Sequence, residues 1–286
     1  MNRTLFGFTR ILMYGIGRRA LFLRPFRLGE TMYDLHCHIL PGLDDGADGI
    51  EEAVEMADLA CREGTEGIAA TPHTNVTHGY RNYWSTHLLD RLNHLQERLD
   101  ALKIPVRLYA GQEIYLTEDV PALLAEGQLI TLNRSRYILS EFSFRESPKR
   151  MVQLLQPLLA AGYLPIIAHP ERYACVEEDW RICALYKELG CAVQINKGSV
   201  TGAFGPAAAH AARRILDAGL CDLVASDGHS VYRRRPELRS IHEWLSAHYS
   251  IAYADHLTVV NPCRILNDGT LAAFPLNAAR HAGDKR

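Results

Sequence analysis

The chain has 286 residues, 48% hydrophobic and 22% charged, with a formal net charge of -2. That length can bury a substantial core and accommodates one α/β barrel, and the composition excludes a disordered or fibrous chain. The near-neutral balance argues against a nucleic-acid binder working through bulk electrostatics, so no nucleic acid is expected as a partner.

Residues 1–31 stand apart. Arg3, Arg10, Arg18, Arg19, Arg24 and Arg27 face a single acid, Glu30. The apolar stretches are cut at Arg18-Arg19 and fall short of the roughly 20 residues a bilayer span needs, so no transmembrane segment is expected. A secretory leader would need a cleaner apolar run and a small-residue cleavage site. Met32 directly precedes the first strand-like run. Residues 1–31 therefore read as a basic extension, disordered or untranslated, with a basic arm lying on an anionic membrane surface as the competing reading.

From Met32 onward strand-like and helix-like segments alternate, which predicts repeated βα units and a mostly parallel sheet. Tyr33–His38 reads as the first strand. Asp48 and Glu51 then form a capping box, followed by a helix whose inward stripe is Ile50, Ala53, Val54, Ala57 and Ala60. Gly67–Thr71 reads as the second strand. Leu88, Leu92, Leu95, Leu99 and Leu102 mark the next helix. Strands at Arg107–Ile114, Tyr137–Phe142, Leu164–Ala168, Ala192–Asn196 and Asp222–Ser226 follow. The intervening helices are read at Pro148–Ala161, Asp179–Leu189 and Pro206–Ala218, the last closed by Gly219. No linker or repeat divides the text, so residues 32–275 read as one catalytic domain and 276–286 as a tail. Seven such units favour a distorted seven-stranded (β/α) barrel. An open doubly wound sheet should carry a glycine-rich loop after its first strand, where this chain has His36-Cys37-His38.

The chemistry-bearing residues fall where these strands end. On a strand, His36 and His38 point to one face. Asp44, His73, Glu113, Glu141, His169, Asp227 and His229 follow at or just beyond later strand ends, the place where parallel barrels carry their active sites. Imidazole and carboxylate without thiolate suit Zn, Mn or Fe. Nine ligands exceed what one ion uses, and two or three divalent ions about 3.5–4 Å apart would accommodate them. Each residue has a structural alternative. Paired core histidines would be costly to bury unligated, Asp44-Asp45-Gly46 also reads as a turn, and Glu113 or Glu141 could cap a helix. The histidines at 78, 87, 94, 210, 242, 248, 256 and 281 read as ordinary helix or loop residues. Seven cysteines, with no C-x-x-C pair, fit a reducing cytoplasm better than a cross-linked secreted protein. The Cys175-to-Arg181 spacing mimics a cysteine phosphatase loop. Glu177, Glu178 and Asp179 within it would repel phosphate, so it reads as chance.

The ordered set Asp34-x-His36-x-His38-x-x-Pro41-x-x-Asp44-Asp45-Gly46, Thr71-Pro72-His73, Gly111-Gln112-Glu113, His169-Pro170-Glu171-Arg172 and Ser226-Asp227-Gly228-His229 resembles the polymerase-and-histidinol-phosphatase (PHP) superfamily. More narrowly, it resembles the manganese-dependent tyrosine-protein phosphatases of bacterial capsule and exopolysaccharide operons, from Met32 to about Leu266. The resemblance implies one ion on His36, His38, Glu113 and Asp227, a second on Glu113, Glu141 and His169, and a third on Asp44, His73 and His229. Some PHP relatives carry His at the Glu141 position, and Glu suits the tyrosine-phosphatase branch. Arg172 and Arg234 are implied as phosphate clamps, which bidentate guanidinium geometry suits. A solvated basic loop is the alternative for Arg234. Gly228 stands where Ala is more usual and reads as harmless. Lys197 replaces a small residue and is expected to reshape the pocket or touch phosphate.

The implied function is hydrolysis of phosphotyrosine monoesters by a metal-activated hydroxide, with Mn as the implied metal and Fe or Zn as alternatives. The implied substrate is a phosphotyrosine protein, the tail of a membrane tyrosine kinase controlling polysaccharide synthesis. Histidinol phosphate, another small phosphate ester or a nucleic-acid phosphodiester keeps the same site with a different substrate. A non-catalytic kinase-binding module is a third reading. An amidohydrolase lacks its bridging Lys at the fourth strand end, where Glu141 stands. Oligomeric state is left open, homo-oligomers included.

Overall fold

The computed structural model describes residues 31–275. The expectations for the tail, and for all of the basic extension except Thr31, lie outside the described residues.

Short runs of Ile, Val, Leu and Ala form the strands, the near-continuous apolar pattern of a parallel sheet buried on both faces. In chain order these are β1 (Met32–Cys37), β2 (Thr65–Ala70), β3 (His73–Asn75), β4 (Tyr80–Arg81), β5 (Arg107–Ala110), β6 (Glu113–Tyr115), β7 (Tyr137–Glu141), β8 (Leu164–Ala168), β9 (Ala192–Asn196) and β10 (Leu223–Ala225). They pair as a three-stranded sheet, β1-β2-β5, and a seven-stranded sheet, β10-β9-β8-β7-β6-β3-β4. Every pairing is parallel except β3 with β4.

Two expected strand regions are interrupted. The predicted strand Arg107–Ile114 breaks at Gly111-Gln112, and its second half joins the other sheet. At the break the Gln112 side chain accepts from Ile130 N at 2.7 Å and donates to Asn82 O. The second strand likewise stops at Thr71-Pro72, because proline has no N–H for the ladder; Glu113 N then donates to Pro72 O at 3.2 Å. The expected strands thus lie in two sheets. Between β10 and β1 there is one isolated bridge, Cys37 to Gly228, with His38 N donating to Gly228 O at 2.8 Å, and no ladder closes there among the described residues.

The helices follow their apolar stripes. Helix Ile50–Arg62 buries Ala53, Met56, Ala57 and Ala60, while Ile50 and Val54 are only partly covered. Its cap is Gly49, and the expected Asp48–Glu51 box is replaced by Glu52, whose carboxylate accepts from Asp48 N at 3.0 Å. Ser85 caps helix Thr86–Ala101, which buries Leu88, Leu92, Leu95 and Leu99. Leu102 lies past that helix and is 51% exposed, so it leaves the predicted stripe. Truncating Leu95, fully buried, to Ala should cost about 2–5 kcal/mol. Helix Pro148–Ala160 starts behind its Ser147 cap, and helix Pro206–Asp217 stands close to expectation. The helix expected over Asp179–Leu189 shortens to Ile182–Glu188. No helix among the described residues is long and apolar enough to cross a membrane.

Candidate metal centre

At the end of β1 the alternation places Asp34, His36 and His38 on one side, all three fully buried. Asp34 accepts from Ser226 N and Ser226 Oγ, tying β1 to the end of β10. Burial raises its carboxyl above the usual range, against those hydrogen bonds. Gly46 is needed just beyond, because a Cβ there would stand 2.0 Å from His38 O.

Three of the five imidazoles in the centre, His36, His38 and His229, are held from the far side. His36 Nδ1 meets Gln194 Oε1 at 2.9 Å, His38 Nδ1 meets Asp44 Oδ2 at 2.7 Å, and His229 Nδ1 meets Asp227 O at 2.8 Å. A carbonyl or carboxylate oxygen accepts, so these contacts place a proton on Nδ1 and turn Nε2 toward the centre. His36 Nε2 and His38 Nε2 lie 3.2 Å apart. Glu113 Oε2 stands 3.2 and 3.3 Å from them, and Asp227 Oδ1 stands 3.4 and 3.5 Å away. Four potential ligand atoms thus converge on one point, where a cation would take the place of the protons that the carboxylates otherwise hold on these imidazoles.

Three further groupings adjoin this one. His36, Glu113 and His169 form the second, with His169 Nε2 2.9 Å from Glu113 Oε1. His73, Glu113 and Glu141 form the third, with His73 Nδ1 2.9 Å from Glu113 Oε2 and 3.5 Å from Glu141 Oε2. The fourth gathers His38, Asp45, His73 and His229, with Asp45 Oδ1 at 3.5 Å from His73 Nε2 and 3.3 Å from His229 Nε2. Despite these short separations, Glu113 Oε2, Glu141 Oε2, His73 Nδ1 and His229 Nε2 are buried without hydrogen-bond geometry to any partner. The ligand atoms of each grouping lie within 4.8 Å of one another, and several are otherwise unpartnered, so this donor set fits divalent cations.

Eight of the nine residues expected as ligands enter these groupings. Asp44 does not. Its oxygens are taken by His38 Nδ1, His73 N at 2.8 Å and Gly46 N at 3.0 Å, so it orients His38, and Asp45 stands in the donor group. Reading the Asp44-Asp45 pair with both members as candidates would have found it. Gln194 and Asn196, inward residues of β9, were also passed over. Gln194 Nε2 donates to Asn196 Oδ1 at 2.7 Å, and Asn196 Nδ2 to Asp227 Oδ2 at 2.7 Å.

The electrostatics follow from crowding carboxylates with imidazoles. Burial opposes charge on His36, yet Glu113 and Asp227 overcome it and raise its pKa. Against the same burial, His38 is raised well above the usual imidazole range, chiefly by Asp44, and His73 is raised to about 10, chiefly by Glu113. Glu113 and Asp227 are held far below the carboxylate range although burial works against it. Asp45 is lowered by the His229 imidazole 3.3 Å away. Burial leaves His169 and His229 below the usual range. Cations and protons compete for such a centre.

Two guanidinium groups reach Asp227 Oδ2, Arg172 Nη1 at 3.3 Å and Arg234 Nη1 at 2.9 Å, with Arg234 Nη2 also 3.5 Å from Asp45 Oδ2. His169 (φ 36°), Asp227 (φ 51°) and Arg234 (φ 49°) all occupy the left-handed region. Lys197 turns away from this cluster. Its Nζ donates to Glu237 O and Oε1, both at 2.6 Å, so it anchors the segment carrying Arg234 instead of offering itself to phosphate. Gly228, read as a harmless replacement, is tightly packed, since a Cβ there would stand 2.7 Å from Pro236 Cβ. Cys175 begins a short helix, Ala174–Glu178, and burial raises its thiol, which suits no nucleophile.

The chain is 40% identical over 203 residues to the tyrosine-protein phosphatase YwqE of Bacillus subtilis, covering 71% of this chain and 79% of the relative. It is 30% identical over 242 residues to the tyrosine-protein phosphatase CpsB of Streptococcus pneumoniae, covering 83% and 99%. A solved structure from work on those two proteins, described as unique metal-dependent tyrosine phosphatases, superposes with a TM-score of 0.79. It shows 36% identity and covers 86% of this chain and 98% of the other. The sequence model for capsular polysaccharide synthesis proteins of the CpsB/CapC type spans residues 32–267, and the chain belongs to that family.

Proposed function

We propose that the protein is a metal-dependent protein-tyrosine phosphatase, a phosphoric monoester hydrolase. The observation that carries this is the convergence of the Nε2 atoms of His36 and His38 with Glu113 and Asp227, directly beside Arg172 and Arg234. We read the two sheets as one distorted barrel of seven βα units with this centre at the C-terminal strand ends. His36, His38, Asp45, His73, Glu113, Glu141, His169, Asp227 and His229 would hold two or three divalent ions, manganese first among them. Divalent cations in such a site bring the pKa of water from 15.7 towards about 7 and neutralise phosphoryl oxygens.

The chain's own residues supply the rest. Attack on a phosphate dianion is repelled, and two guanidinium groups beside the centre reduce that repulsion through charge-assisted hydrogen bonds. Asp227 accepts from both, so one carboxylate sets the spacing of the two clamps. Asp44, Gln194 and the carbonyl of Asp227 keep three imidazoles turned the right way. The relatives' names support phosphotyrosine in a protein as the substrate. A membrane tyrosine kinase tail, met in the cytoplasm, is the protein substrate we propose for a member of a capsule-synthesis family.

Replacing His36 or Asp227 with Ala should abolish hydrolysis of p-nitrophenyl phosphate while the protein stays folded; full activity in either variant would end this reading. A panel of phosphotyrosine peptide, histidinol phosphate and a short oligonucleotide then tests the substrate class, with turnover of the peptide alone expected.

A further inference from the structure

Arg172 is held by more than Asp227. Its guanidinium carbon lies over two phenyl rings, 4.6 Å from the Phe144 centroid and 4.3 Å from that of Phe204. The rings come from two different loops beside the site. Phe144 follows β7, and its carbonyl accepts from Ala174 N at 2.8 Å, which couples this loop to the segment just after Arg172. Phe204 follows β9 in a turn packed on Gly198, where an added Cβ would stand 2.9 Å from Phe204 Cε2. A glycine at 198 is thus what lets the Phe204 ring reach Arg172.

Stacking on rings occupies the flat surface of a guanidinium and leaves its N–H edge for hydrogen bonding. One edge donor goes to Asp227; the others remain for an anion. Phe144 differs from Phe204 in one respect. It is 42% exposed, an uncommon state for a phenyl ring, and its centroid lies 6.0 Å from that of His169 in the centre. An apolar ring standing open at the mouth of a phosphate site suits a substrate whose phosphate is borne on an aromatic ring.

Building on the proposed phosphatase function, we propose that Phe144 and Phe204 are positioning residues that fix Arg172, and that Phe144 also contacts the aryl group of the substrate and selects for it. Nothing in the spacing of these two residues marks them in the sequence, where isolated phenylalanines read as core.

Two small probes separate the roles: methylphosphonate, which has the anion alone, and benzylphosphonate, which adds a ring. Binding of each to manganese-loaded protein is measured by calorimetry, with thermal melting to confirm folding. Phe204→Leu keeps the bulk but removes the π face; it should weaken both probes equally, by about 2- to 30-fold, and Phe204→Tyr should restore them. The same variant should raise KM for p-nitrophenyl phosphate more than it lowers kcat. Phe144→Ala should weaken both probes and, in addition, erase most of the preference for benzylphosphonate. Unchanged methylphosphonate affinity in folded Phe204→Leu would overturn the clamp, and an undiminished benzyl preference in Phe144→Ala would overturn the aryl contact. If the unaltered protein binds neither probe, it is the phosphatase reading itself that fails.

Discussion

His36 and His38 turn their Nε2 atoms toward each other across 3.2 Å, each imidazole pinned through Nδ1 by a different partner, Gln194 for one and Asp44 for the other. Partners of this kind typically contribute 10- to 100-fold to metal affinity by fixing tautomer and orientation. Asp44→Ala and Gln194→Ala should therefore each weaken manganese binding by about that factor without changing how many ions bind. Asp45→Ala should instead lower the stoichiometry. Calorimetric titration distinguishes the two effects; loss of an equivalent in Asp44→Ala with none in Asp45→Ala would restore Asp44 as the ligand.

Chelation should destabilise the fold. Glu113 and Asp227 are buried carboxylates, and cations bound only by the native state stabilise it by about 4 kcal/mol at a thousand times Kd. For a chain of this size that corresponds to a fall in Tm on the order of 10 °C when manganese is replaced by a chelator. Differential scanning calorimetry measures it directly. An unchanged Tm would mean the groupings hold no ion tightly.

Arg172→Lys keeps the charge but loses the planar fork, and kcat/KM for p-nitrophenyl phosphate should drop on the order of 10²-fold. Arg234→Lys should cost less, since this guanidinium is also 3.5 Å from Asp45. Because both arginines share Asp227 Oδ2, the double variant should lose less than the product of the single losses. Multiplicative losses would show the two clamps to be independent.

Glu171 gives the stability a pH dependence of its own. Burial raises this carboxyl from 4.5 to about 7, against the hydrogen bond it accepts from Asn196 N. Between those values the unfolded chain releases the proton while the folded one keeps it, so stability falls as pH rises through this window and levels off above it. Glu171→Gln removes the effect. In metal-free protein it should be more stable than the parent by up to about 3 kcal/mol near pH 8 and indistinguishable near pH 4. Urea unfolding at the two pH values decides the matter, and equal differences at both would refute the assignment.

Much of this centre was legible because strands have a period of two and βα units end at one side of the sheet. His36 and His38 follow from the first rule. His73, Glu113, His169, Asp227 and His229 follow from the second, and the structure gathers them together. What could not be read depends on contacts across the chain. Asp44 and Asp45 are adjacent acids, and only the fold shows that His38 takes one while His73 and His229 face the other. Gln112 stands where a strand is interrupted, its side chain bonded to the backbone of Asn82 and Ile130, contacts that no local pattern encodes. Lys197 looked available to phosphate until Glu237, 40 residues on, proved to hold it.

The left-handed backbone at His169, Asp227 and Arg234 has a consequence beyond any single variant. Conformations of this kind cost about 1–3 kcal/mol each for residues with a Cβ and persist only where surroundings enforce them. A lineage released from its chemistry would gain by relaxing all three to glycine. Retention of bulky residues at these angles in a relative of uncertain activity would then signal an enzyme still under selection for turnover.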